Sequence, residues 1–91
     1  MIIKTEGMPL SEAIFEFLRS NYFINSSSDL SRQMGRSRCY LSTIRYTNRM
    51  PSNEAFSNLH GYLKNCISET DDADLQQCLK QYMRQIEEVL A

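Results

Sequence analysis

The 91-residue chain is predicted to be an all-α domain of five helices, on three observations. Apolar residues recur at helical spacing toward both ends: Leu10, Ala13, Ile14, Phe17 and Leu18 fall at i, i+3, i+4, i+7 and i+8, and Leu75, Leu79, Tyr82, Ile86 and Val89 follow at steps of four, three, four and three. Between them, Leu30 to Leu63 has the punctuation of a helix-turn-helix with a supporting helix after it. Finally, Ser68-Glu69-Thr70-Asp71-Asp72 breaks the second half with residues that cap helices. These signals divide the chain into an N-terminal arm (1–9), a helix-turn-helix region (10–67) and a C-terminal amphipathic helix (71–90).

In the arm, Gly7 and Pro9 interrupt any regular element. Helix one is expected from Pro9 or Leu10 to Asn21. Pro9 suits its first turn, where a missing N–H is harmless, and Glu12 and Glu16 favour its partially positive end. Phe15 lies off the apolar stripe, with the C-terminal segment as the surface to cover it. After the apolar connector Tyr22-Phe23-Ile24, the loop Asn25-Ser26-Ser27-Ser28 places Ser27 or Ser28 as cap of a second helix that reaches Met34. Gly35 ends that helix, because a residue without a Cβ takes positive φ freely and lets the next helix leave steeply.

The third helix is expected over Ser37 to Tyr46, capped by Ser37. Leu41 and Ile44 would pack on Leu30 and Met34, leaving Arg38, Cys39, Ser42 and Thr43 outward. Pro51 closes the following loop and Ser52 caps a fourth helix bearing Ala55, Phe56, Leu59, Leu63 and Ile67. Thr70 or Asp71 caps the fifth. Its broad apolar face (Leu75, Leu79, Tyr82, Ile86, Val89) is wider than one small domain usually covers and is a candidate dimer seam. Tyr40, Tyr46, Tyr62 and Tyr82 are expected at core edges with wet hydroxyls.

Leu30, Ser31, Met34-Gly35, Ser37, Tyr40-Leu41-Ser42, Ile44, Arg49, Pro51-Ser52, Leu59 and Leu63 together resemble, without a gap, the Cro/C1-type helix-turn-helix family of phage and bacterial repressors. The stretch from Tyr22 to Ser28, with its aromatic pair and Asn-Ser loop, also resembles a family of short uncharacterised phage and proteobacterial proteins. In four places the chain departs from the Cro/C1 pattern: Arg36 replaces an aliphatic residue, Ser27 a Gln, and Arg45 and Thr47 an acid and a Gly. The resemblance implies sequence-specific binding of double-stranded DNA by a homodimeric transcriptional regulator.

Composition agrees with a binding protein more than with a catalyst. Hydrophobic residues make up 42% and charged residues 23%, and the net charge is −1, so bulk electrostatics does not advertise a polyanion partner. Distribution says more: Arg32, Arg36, Arg38, Arg45 and Arg49 lie in a stretch without acids, whereas Glu69 to Ala91 carries six acids against Lys80 and Arg84. Arg38 is placed to pair with a guanine, with Cys39, Ser42 and Thr43 beside it on the base-reading face. Ser27, Arg32, Arg36, Arg45 and Arg49 are the expected phosphate contacts. The same arginines can instead form a solvated surface paired with the acidic last helix, or a basic face for a protein partner, which would make the chain an adaptor or inhibitor. Arg36 can also lie over Leu41 with only its head at the surface.

Three cysteines without CxxC spacing and a single histidine exclude a disulfide framework and a zinc site, and reduced thiols suit cytoplasm. Cys39 is either a small residue beside the groove or a thiol activated by neighbouring arginines. No Gly-rich phosphate loop, nucleophile set or paired carboxylates outside helix starts is present, so neither catalysis nor a cofactor is expected. No run approaches membrane-spanning length.

Overall fold

The computed structural model describes residues 9–47 and 49–91, so the arm, apart from Pro9, lies outside the described residues. Five helices follow in order: α1 (Leu10–Ser20), α2 (Ser27–Gln33), α3 (Tyr40–Thr47), α4 (Asn53–Glu69) and α5 (Ala73–Leu90). No strand occurs among the described residues.

Helix α1 starts behind Pro9, whose carbonyl accepts the Ala13 N–H at 3.0 Å. Its apolar stripe turns fully inward, with Ala13, Ile14, Phe17 and Leu18 buried. Phe15 is buried as well, and the surface over its ring is the Arg45 guanidinium, 5.6 Å from the ring centroid. At the end of α1 the Tyr22 N–H reaches the Arg19 carbonyl (3.2 Å) and the Phe23 N–H reaches Leu18 (3.0 Å), the paired bonds that close a helix through one left-handed residue. That residue is Tyr22, at φ 65° and 90% exposed. A side chain there strains the backbone and buries almost nothing. Tyr22→Gly is therefore expected to stabilise the fold by about 0.5–1 kcal/mol, the relieved strain exceeding the extra freedom of glycine in the unfolded chain. Thermal melting checks this; an unchanged or lower midpoint would refute it.

Helix α2 is capped by Ser26, one residue earlier than the sequence suggests. Asp29 explains the shift, since its carboxylate accepts the Asn25 N–H at 2.9 Å while its own N–H points to Ser26 Oγ at 3.4 Å. Gly35 ends α2 as expected, at φ 73°. Its N–H meets the Arg32 carbonyl (2.9 Å) and that of Arg36 meets Ser31 (3.0 Å).

Ser52 caps α4 through the Ala55 N–H at 3.2 Å. The far end of α4 is closed by a side chain from the next helix: Gln76 Nε2 donates to the carbonyls of Ile67 (3.2 Å) and Thr70 (2.6 Å). Asp72, rather than Thr70 or Asp71, caps α5, accepting the N–H groups of Asp74 and Leu75 at 2.9 and 3.2 Å. Thr70 instead holds the turn, its Oγ1 accepting the Asp72 N–H.

One hydrophobic cluster draws on all five helices, so the fifth is part of the same core as the other four. Within it Phe17 and Tyr82 meet edge to face, ring centroids 5.3 Å apart. This corrects the dimer-seam expectation for α5. Leu79, Tyr82 and Ile86 are buried in their own protomer against α4 and α1, Leu75 is half-buried, and only Val89, 38% exposed, keeps much surface. The stripe is wide because α5 covers two neighbours within the chain. On α4, burial pushes the Tyr62 phenol and the Cys66 thiol up from their ordinary titration ranges; the neighbouring Cys66 raises Tyr62 further, whereas the hydrogen bond with Tyr62 works against burial at Cys66. The Tyr62 hydroxyl donates to the Phe23 carbonyl at 3.1 Å, tying α4 to the connector after α1.

Candidate nucleic-acid interface

The angle between α2 and α3 is set by a few buried contacts. Leu30, Met34, Leu41 and Ile44 pack inward from the two helices. Ser31, fully buried between them, donates from Oγ to the Ser27 carbonyl (2.8 Å) and accepts the Leu41 N–H (3.1 Å). A hydroxyl thus ties α2 to the start of α3, and it satisfies a backbone donor that would otherwise be buried alone. Asn58 of α4 braces the turn from behind, its Nδ2 donating to the Met34 carbonyl at 2.9 Å. Tyr40 joins α3 to α4 through its hydroxyl, which accepts the Ser52 N–H at 2.9 Å.

Helix α3 begins at Tyr40, three residues after the predicted start, and the Tyr40 N–H bonds to the Ser37 carbonyl at 3.0 Å. Arg38 and Cys39 therefore sit in the turn that leads into α3 rather than on its first full turn, both exposed. Ser42, Thr43 and Tyr46 continue the outward face along the helix. Tyr46 is 92% exposed and Met50, in the loop beyond, 67%.

The five arginines do not form one patch. Arg45 is clamped to α1, donating from Nε and Nη2 to the two Glu12 carboxylate oxygens at 2.6 and 3.2 Å, with Phe15 under its guanidinium. Arg36 is held at the start of α4 by Glu54 (3.2 Å) and Ser52 Oγ (3.2 Å), with its guanidinium carbon 5.7 Å from the Tyr40 centroid. It lies over Tyr40, not Leu41, and Arg36 Nε is buried without a hydrogen-bond partner. Both cations pair with a carboxylate of the same chain while their side chains stay partly exposed, 33% for Arg36 and 48% for Arg45. Arg32, Arg38 and Arg49 pair with no carboxylate among the described residues. Of these, Arg32 borders a groove shared with α4 instead of flanking α3. Arg38 and Arg49 remain beside the outward face.

A model of a family of unknown function, DUF6626, matches residues 11–90. The chain belongs to the DUF6626 family. The matched span runs from the second residue of α1 to the last of α5, so the DUF6626 unit is the whole five-helix core and not the helix-turn-helix alone. No curated protein and no solved structure matches the chain.

Across this DUF6626 chain the remaining predicted residues are scattered by role. Ser27 is half-buried in the first turn of α2. Cys39 is an exposed free thiol, whereas Cys66 is buried and Cys78 half-buried. Tyr40, Tyr62 and Tyr82 are core-edge or core residues, but Tyr46 is not, because it faces outward from α3. His60, half-buried, meets Glu87 at 3.1 Å and links α4 to α5. Two contributors escaped sequence reasoning, Ser31 as the bond between α2 and α3, and Asn58 as the brace of the turn. The first had a signal, a small polar residue four positions before the turn glycine; the second had none, since its partner is 24 residues away. Among the described residues no three His, Cys, Asp or Glu side chains could hold a metal ion, and no helix is long and apolar enough to cross a membrane.

Proposed function

We propose that this chain binds double-stranded DNA sequence-specifically as a small cytoplasmic transcriptional regulator of the Cro/C1 kind carried by phages and mobile elements. The observation that carries this reading is the turn between α2 and α3: Gly35 in the left-handed conformation, the Ser31 bridge, and an outward face of Arg38, Cys39, Ser42 and Thr43 that the other described residues leave exposed. A helix held on a rigid turn with donors near its start fits the major groove, and Arg38 is the residue to pair with guanine. Arg49 supplies a phosphate contact from the loop after α3. A near-palindromic operator would be read by a two-fold dimer whose α3 helices stand ~34 Å apart. On α5, Val89 and Leu90 remain exposed for such a contact.

The competing reading is a protein-binding adaptor. It is favoured by the exposed Tyr46 and Met50 beside α3, an aromatic and a flexible apolar side chain of the type enriched where proteins meet.

Selection of bound duplexes from a random pool, followed by a salt series, separates the two. With Arg36 and Arg45 paired to carboxylates of the same chain, Arg32 lining the groove beside α4 and Arg38 on a base, Arg49 is the remaining phosphate cation, and the slope of log affinity against log salt is expected at about −1 per protomer, against about −4 if Arg32, Arg36, Arg45 and Arg49 all reached phosphates. Absence of duplex binding even at low salt would end the DNA reading and favour the adaptor.

A further inference from the structure

On the side of the molecule where α2, the turn after it and α4 meet, a wide, shallow groove of about 610 Å3 is lined by Arg32, Gln33, Gly35, Asn58, Gly61, Tyr62, Lys64 and Asn65. None of these residues belongs to α3 or its outward face. Its lining holds two cations, three amides and a phenol, and no carboxylate. Neither Arg32 nor Lys64 pairs with an acid among the described residues, although the chain as a whole carries a net charge of −1. Arg38, Arg49 and Arg84, which likewise pair with no acid among the described residues, do not line it.

Gly61 supplies an independent observation. It sits mid-way along the 17-residue α4, where glycine weakens a helix relative to alanine. A Cβ at this position would meet nothing within 4 Å, so no packing inside the protein requires the glycine. What a Cβ would enter is the groove. The glycine leaves the α4 backbone open to close approach from outside. The groove is also held in shape: Asn58 is bound to the Met34 carbonyl and Tyr62 to the Phe23 carbonyl.

We propose that this groove is a binding site for a nucleotide-sized phosphate ester, a function additional to the α3 face. The Arg32 guanidinium and Lys64 ammonium take the phosphate, one by a forked pair of N–H donors and the other as a point charge. Gln33 and Asn65 offer amides to the remaining polar groups. The Tyr62 ring, fixed through its hydroxyl, is the wall for a planar apolar part, and Gly61 lets that part lie against α4.

The test is a titration of the full chain with adenosine 5′-monophosphate and, separately, with inorganic phosphate, followed by backbone and side-chain amide NMR. The nucleotide is expected to shift Gly35, Gly61 and the Asn65 side-chain amide saturably, and phosphate to shift the same groups more weakly. Arg32→Gln with Lys64→Gln should keep the helical circular dichroism and weaken nucleotide binding about tenfold or more, the loss expected for charge-assisted bonds. Gly61→Ala should raise the melting temperature, which shows that it folds, and still weaken binding. Neither probe shifting these amides, unchanged affinity in Gly61→Ala, or retention of binding in the double variant would overturn the site. Since no α3 residue lines the groove and Lys64 takes no part in the proposed duplex face, any duplex binding should survive in Lys64→Gln alone, so this proposal and the DNA reading fail separately.

Discussion

Ile86→Ala is expected to cost about 2–5 kcal/mol of unfolding free energy, with a cost that does not change with protein concentration. Ile86 is completely buried in its own chain, in a cluster with Leu79, Tyr82 and the α1 and α4 side chains. Truncation removes three carbons from a packed interior and leaves a cavity that a helix held on both flanks cannot close. A domain of this size has roughly 5–15 kcal/mol in all, so a large share of its stability goes with one side chain. Val89→Ala is the control. Only part of that side chain is buried, and the change should stay within about 0.5 kcal/mol. Denaturant melts over a wide concentration range make the check. A midpoint that rises with concentration in the wild type and loses that rise in Ile86→Ala would show the stripe serving a second copy instead of the core.

Gly35→Ala should lose about 2–3 kcal/mol, and its two causes can be measured apart. The φ of 73° carries the ordinary penalty of a Cβ in the left-handed region, about 1–2 kcal/mol. The new Cβ would also stand 2.5 Å from Asn58 Nδ2, too close for any real contact. The amide must swing away, and its 2.9 Å bond to the Met34 carbonyl goes with it, at a further ~0.5–1.5 kcal/mol. Asn58→Ala alone should show only the second part. In the double variant the losses should fall short of their sum, because the clash has no target once Asn58 is gone. Additive losses would mean that Asn58 relaxes freely and the turn is held by the backbone alone. Since this turn sets how α3 leaves α2, Gly35→Ala should also weaken duplex binding by more than its unfolded fraction accounts for.

These two sites show where sequence reasoning reaches. Gly35 was readable because a helix stop through a left-handed residue is a local event, settled by a glycine and the five residues before it. Ser52 was readable for the same reason. The stripe of α5 was readable as a stripe, yet its destination was not: periodicity says that a face is buried and is silent on what buries it. Arginines were misread most. Five cations in an acid-free stretch look like one basic face, but Glu12 lies 33 residues from Arg45 and Glu54 comes from the next helix, so both pairs exist only once the chain is folded.

Taken by itself, the chain of residues determined five helices, four of them within two residues of their ends, together with the left-handed turn and the inward faces, because hydrogen-bond capping and 3.6-residue periodicity act over a few neighbours. Tertiary structure alone decided that α5 completes the core, that Arg36 pairs with Glu54 and Arg45 with Glu12, that Tyr46 faces solvent, and that Arg32 and Lys64 share a groove. Each of those outcomes depends on which surfaces meet across long sequence separations, and charge and apolar area are indifferent to order along the chain.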